Sequence, residues 1–171
     1  MKIIVFATDN EWAIGNSLNA NGLPWESIPE DFEHFKNTTI EIGRVVAGSK
    51  TFLAMMEFRK NKLLPKREMA VLSEKMTERP HPEVPVFKSI EEIDEYYAGK
   101  DYAIIGGAET IRRSLPTADK IIMSLVDGVY TADAYLDSSI LENFNLDKEK
   151  VIRWGDEKGP KVTVKYYSRE K

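Results

Sequence analysis

The chain has 171 residues, no cysteine, only His34 and His81 as histidines, and a formal net charge of −4. That length suits about one domain, able to bury roughly 70% of the surface its unfolded form exposes without disulfides or a metal staple. Thiol chemistry is excluded and a structural zinc site disfavoured; the acidic balance argues against nucleic acid as the main partner, and no apolar run reaches the ~20 residues of a membrane span.

In chain order, an apolar, β-branched run predicts a strand at residues 2–7, and Pro29 opens a predicted helix at 29–40. A strand at 44–48 and a helix at 50–57 follow, then strands at 68–73 and 84–88, a helix at 89–97, a strand at 101–105 and a helix at 108–114. Alternation of this kind builds a mostly parallel sheet covered by helices. Beyond residue 119 the pattern changes to strands at 119–126, 150–154 and 161–167. Turn signals at Asp127-Gly128 and Lys158-Gly159-Pro160 predict an antiparallel hairpin added to that sheet. The expected architecture is one α/β domain over 1–171, with eight strands and four helices. The start of the chain enters directly into a strand, so an unprocessed, soluble protein of a reducing cytoplasm is expected.

Three places carry candidate chemistry. Asp31 stands in the first turn of the 29–40 helix, with Phe32, Phe35 and Thr39 continuing its stripe. An acid there ordinarily complements the helix dipole and stays in water. Apolar neighbours instead raise a carboxylate's pKa and suit it to bind a flat, nitrogen-rich ligand and handle its proton. Gly106-Gly107 follows a strand and opens a helix, where glycine permits close backbone approach and free N–H groups hold phosphate; a plain tight turn explains the pair equally well. No Gly-x-Gly-x-x-Gly fingerprint occurs. Gly48-Ser49-Lys50-Thr51 supplies a cation and two hydroxyls at another strand-to-helix junction. It fails as a P-loop, because Lys50 does not follow Gly48 directly and residues 44–47 read as strand.

Ile14-Gly15, then Leu23-Pro24-Trp25 and Asp31, are followed in order by Gly48-Ser49-Lys50-Thr51-Phe52, Leu64-Pro65-Lys66-Arg67, Ile104-Ile105-Gly106-Gly107 and Leu115-Pro116-Thr117-Ala118-Asp119. Their order and spacing resemble the dihydrofolate reductase family across almost the whole chain. The resemblance implies that family's α/β fold and transfer of hydride from NADPH, or from NADH, to 7,8-dihydrofolate. It implies catalytic roles for Asp31, Trp25 and Leu23. Val5, Ala7, Asp31, Phe32, Phe35, Met55, Leu64, Ile105 and Ser124 would border the substrate, and Arg67 would grip the carboxylate of its glutamate tail, for which a guanidinium fork is suited. Cofactor contacts would come from Ala7, Ile14, Gly15, Gly48, Ser49, Lys50, Thr51, Leu72, Ser73, Ile105, Gly106, Gly107, Ala108, Glu109 and Thr110, with a cis bond joining the two glycines.

Several departures bear on this. Ser49 stands where the family commonly has Arg, and Glu74 and Glu109 would not welcome a 2′-phosphate. The 16–22 loop is long, and residues 131–137, which keep Asp133, lack the usual preceding glycine and later aromatic-proline pair that brace the loop. Partners are expected to be small molecules, without nucleic acid or membrane, and the chain is expected to be a monomer. Rival readings are a pyrimidine reductase of the flavin pathway with a similar fold, or a silent ligand-binding protein reusing it.

Overall fold

A computed structural model describes residues 1–171. Its strands are β1 (Lys2–Thr8), β2 (Ala13–Gly15), β3 (Arg44–Gly48), β4 (Glu68–Leu72), β5 (Val86–Phe87), β6 (Tyr102–Gly106), β7 (Lys120–Val126), β8 (Ala134–Tyr135), β9 (Phe144–Arg153) and β10 (Val162–Arg169). The helices are α1 (Pro29–Ile42), α2 (Ser49–Phe58), α3 (Ile90–Tyr97) and α4 (Ala108–Ser114). Eight strands form one sheet in the order β5-β4-β3-β6-β1-β7-β10-β9, while β2 and β8 form a separate two-stranded pair. β10 lies antiparallel to both β7 and β9, the other pairings of the large sheet are parallel, and β2–β8 is antiparallel. The predicted α/β architecture and its antiparallel addition are therefore present.

Period-two alternation sorts the side chains of the central strands between two layers. Ile4 and Phe6 of β1 join Val46, Ala70, Ile104, Ile93 and Ile111 in a large core on the α3 and α4 face. Ile3 and Val5 turn the other way and join Ala103, with Phe35 and Ile42 of α1 packed on them. Beside that cluster, Ala47, Met69 and Val71 pack with Phe52 and Met56 of α2. The parallel strands consequently deliver their carboxyl ends to one edge, between α1 and α2, where open α/β sheets place ligands. No helix is long and apolar enough to cross a membrane.

The differences from expectation have local causes. β2 and β8 are three and two residues long, so the pair has no usable sequence periodicity and exists through tertiary pairing, Ala13 opposite Tyr135 and Gly15 opposite Ala134. β9 starts at Phe144, well before residue 150, because residues 145–150 form an exposed edge with no apolar face to reveal them. The Asp127-Gly128 turn does not fold β7 back on itself; it sends the chain out to β8, and the hairpin is β9–β10, closed by the Asp156–Gly159 bridge. β5 contracts to Val86–Phe87, and Ser49 already belongs to α2.

Candidate active site

Pro29 fixes the backbone at the start of α1, and Asp31 follows in its first turn, half-buried against the end of β7. Burial raises its pKa above the ordinary 3.8, opposed by hydrogen bonding from the buried Ser124 hydroxyl and by the nearby His34. Ser124 pairs in register with Ala7 of β1, which brings those two predicted residues side by side. His34, one turn after Asp31, has its own pKa lowered by burial, with the Asp31 charge pulling it up and Lys150 pushing it further down. Burial and the Ser124 hydroxyl thus give Asp31 an environment unlike that of a solvated helix-start acid.

Trp25 is 4% exposed and packs with Ile28, Val126 and Val162. Its indole Nε1 is buried and has no hydrogen-bond partner. A buried donor of this kind ordinarily has a partner, and an ordered water or a ligand atom can supply one. Tyr130, absent from the expected site, meets the Trp25 ring edge-on with centroids 5.7 Å apart. Nothing near Tyr130 in sequence signals that contact, since it rests on the fold of the 127–133 segment. Leu23 is half-buried beside them, and its backbone is held by Asn21 Oδ1 at 3.0 Å and Asn19 Nδ2 at 2.6 Å.

Apolar side chains continue from Asp31 along α1 and the facing strands. Phe35 packs on Val5 with Ile105, and Ile105 also packs on the cluster containing Leu64, with Met55 next to it. Phe32 is 53% exposed and lies at the outer surface of α1. At the far end stands Arg67, whose Nε donates to the Pro65 carbonyl and whose guanidinium donates to Thr39 Oγ1, each at 2.9 Å. Thr39 is fully buried and donates in turn to the Phe35 carbonyl at 2.8 Å. Arg67 enters none of the chain's ion pairs, and burial together with the Arg59 charge pulls its pKa down. An oriented cation without an acid is fitted to an anionic ligand group.

The two glycine junctions meet at the same sheet edge. Ala47 of β3 pairs with Gly106, and the Gly106–Gly107 peptide is cis, as the resemblance implies. A Cβ on Gly48 would lie 2.6 Å from Thr110 Oγ1, and one on Gly107 would lie 3.1 Å from Thr51 Oγ1. Both glycines are therefore dictated by close approach. Neither Gly48 nor Gly107 gives a side-chain cap to the helix it opens, which leaves the first N–H groups of α2 and α4 available. Leu72 pairs with Gly48, and Ser73 follows it; the Leu72 side chain is core, and the Ser73 hydroxyl accepts from Met76 N–H at 3.1 Å. Ser49 and Ala108 are half-buried, while Lys50 and Glu109 are exposed. Glu74 is not a free acid: Arg113, another residue the sequence did not single out, lies 3.5 Å from it.

Ile14 and Gly15 sit in β2 at the mouth of this edge, and the 16–22 loop is braced despite the departures in 131–137. Ser17 N–H donates to both Asp133 oxygens at 3.1 Å, the Ser17 hydroxyl bonds the same carboxylate, and Asp133 N–H donates to the Gly15 carbonyl at 3.0 Å. Asn16 Nδ2 reaches the Thr131 carbonyl at 2.9 Å. These bonds use the Asp133 carboxylate and the backbone of Gly15, Ser17, Thr131 and Asp133, and none of them requires a glycine at position 132. Leu136, in place of the aromatic, is buried and donates its N–H to the Trp12 carbonyl at 3.0 Å.

A family profile described as Dihydrofolate reductase matches residues 1–169. The dihydrofolate reductase of Mycoplasma pneumoniae is 29% identical over 151 residues, covering 85% of this chain and 88% of its own. That of Ureaplasma parvum is 30% identical over 157 residues, covering 92% of each. A solved structure of dihydrofolate reductase from Enterococcus faecalis, complexed with NADP(H) and RAB-propyl, shares the fold with a TM-score of 0.84 over 100% of this chain and 97% of that one, at 24% identity. With a profile match over nearly its whole length, and with a half-buried acid and glycine junctions at one sheet edge of this fold, the chain belongs to the dihydrofolate reductase family of oxidoreductases.

Proposed function

We propose that the chain, acting as one domain, reduces 7,8-dihydrofolate to tetrahydrofolate with NADPH. The observation that carries this reading is a half-buried Asp31, its pKa raised by burial, together with an Arg67 that has no acidic partner and is held by Thr39 further along the same helix. Dihydrofolate has a pterin with a flat donor-rich edge for the carboxylate, an aminobenzoyl ring for the apolar side chains and a terminal carboxylate for the guanidinium. A ribosylaminopyrimidine has no aminobenzoyl ring to pack among those apolar side chains.

The cofactor fits the glycine junctions. Gly48 and Gly107 leave the surface low where side chains would meet Thr110 and Thr51, the helix starts offer N–H groups, and Lys50 adds a cation. When bound, NADPH supplies the hydride. The protein's part is binding and orientation: Asp31 pairs with the pterin edge and favours the form protonated at N5, which makes C6 the better hydride acceptor. Trp25 Nε1 is a buried donor free for an ordered water or a substrate atom. Leu23 and the braced loop limit water at the reacting end.

The test follows loss of reduced-nicotinamide absorbance with dihydrofolate, run in parallel with NADPH and NADH. NADPH should give the higher kcat/KM, by a margin that shrinks as salt screens Lys50 and the 2′-phosphate. Reduction of a ribosylaminopyrimidine with none of dihydrofolate would overturn the reading in favour of the flavin-pathway rival; binding without turnover would favour the silent one.

A further inference from the structure

Asp9 follows β1 at the edge where the candidate site lies, and it is 1% exposed. Its Oδ1 accepts from the backbone N–H groups of Glu11 and Ala13, and its Oδ2 from that of Tyr130, all at 2.9 Å. None of the chain's ion pairs includes it. A carboxylate used only to shape a turn can remain in water. One buried among neutral donors is stable only while each of those bonds persists, so it couples the segments that supply them.

The first segment is the turn from β1 into β2. Trp12, between the two bonded amides, has φ of 67°, a left-handed conformation costing about 1–3 kcal/mol for a bulky residue. Bonds to Glu11 and Ala13 bracket that residue and hold the turn, whose exit places Ile14 and Gly15 at the root of the 16–22 loop. The second segment is 127–133. Tyr130 meets Trp25 edge-on, and Asp133 grips Ser17 near the start of the loop. Asn10 adds parallel ties to the same segment, from its N–H to the Gly128 carbonyl at 3.0 Å and from Nδ2 to Asp127 Oδ1 at 2.9 Å.

We infer that Asp9 is a positioning residue: it fastens the root of the 16–22 loop to the 127–133 segment and thereby sets where Trp25 and the loop stand over the reacting end of the site. It touches no ligand itself. The inference rests on the proposed reductase reading and concerns the cofactor end, leaving the Arg67 end alone.

Asp9→Asn is the sharp test. An amide has one acceptor oxygen; while that oxygen serves Glu11 and Ala13, its NH2 faces the Tyr130 N–H, donor against donor. Single-turnover hydride transfer should fall roughly tenfold or more, as misplacement of reacting groups does. The isotope effect on kcat with cofactor deuterated at C4 should rise, and affinity for dihydrofolate should change little. A folded variant with the parent's rate and isotope effect would show Asp9 to be a turn former only. Should the variant not fold, hydrogen exchange on the parent decides. Adding NADPH should protect the amides of Glu11, Ala13, Tyr130 and Ser17 together, whereas protection of Ser17 without Tyr130 would overturn the coupling. A parent that binds NADPH and does not reduce dihydrofolate would count against the reductase reading, and the exchange result would still judge Asp9.

Discussion

Asp31 combines a functional advantage with a cost in stability. Its folded pKa lies above the ordinary value, raised by burial, so the native state favours the protonated form. That contribution to stability is full below the unfolded pKa near 3.8 and is lost as pH rises through the folded pKa. Asp31→Asn should accordingly melt higher than the parent at pH 7, with no such advantage at pH 3, as thermal unfolding at both pH values would report. The same variant should lose roughly a hundredfold or more in turnover at pH 7, since the amide supplies neither charge nor proton control, and should recover in part as pH falls. A variant as active as the parent at every pH would reduce Asp31 to a helix-start acid. Arg67 makes a separate prediction. Arg67→Ala should weaken dihydrofolate by about 1.5–3 kcal/mol, the range for hydrogen bonds to a charged group, while a dihydropterin lacking the glutamate tail loses far less. Equal losses for both would show that Arg67 acts through Thr39 and the fold.

Among the elements, the glycine junctions are the most constrained. Gly48→Ala puts a Cβ 2.6 Å from Thr110 Oγ1, forcing β3 or α4 to shift. It should cost about 1–3 kcal/mol of stability, the usual penalty for overpacking, and weaken the cofactor along with it. Thr110→Ala in the same background should restore much of the stability in denaturant unfolding; no recovery would mean that the strain lies elsewhere. How much of this was legible in the sequence depended on burial. Strands such as β1, β3 and β6 are covered on both faces and show as continuous β-branched runs, and Gly106-Gly107 and Gly48 were readable as strand-to-helix junctions, although the contact of Gly48 with Thr110 was not. The charged outer half of β9 and the β2–β8 pair have no apolar face, so neither left a pattern. Asp31 was legible through its aromatic flank. Tyr130, Arg113 and Asp9 were not, because their partners Trp25, Glu74 and the Tyr130 amide itself come from distant segments.

At the scale of the molecule, the parallel strands bring to one edge residues separated by most of the chain: Ala7 from β1, Gly48 from β3, Gly106 from β6 and Ser124 from β7. Helices α1 and α2 flank that edge, so the acid, the apolar side chains and the glycine cradle lie in one cleft while the α3 and α4 face carries the largest core. The central claim is that this cleft holds the reduced nicotinamide against C6 of a protonated dihydropterin. Its most direct test is isotopic: the protein is given dihydrofolate and NADPH deuterated at the transferred C4 position, and the product is examined by mass spectrometry and NMR. The account predicts tetrahydrofolate carrying one deuterium, at C6. Tetrahydrofolate without that label, or cofactor oxidised with dihydrofolate left intact, would contradict it.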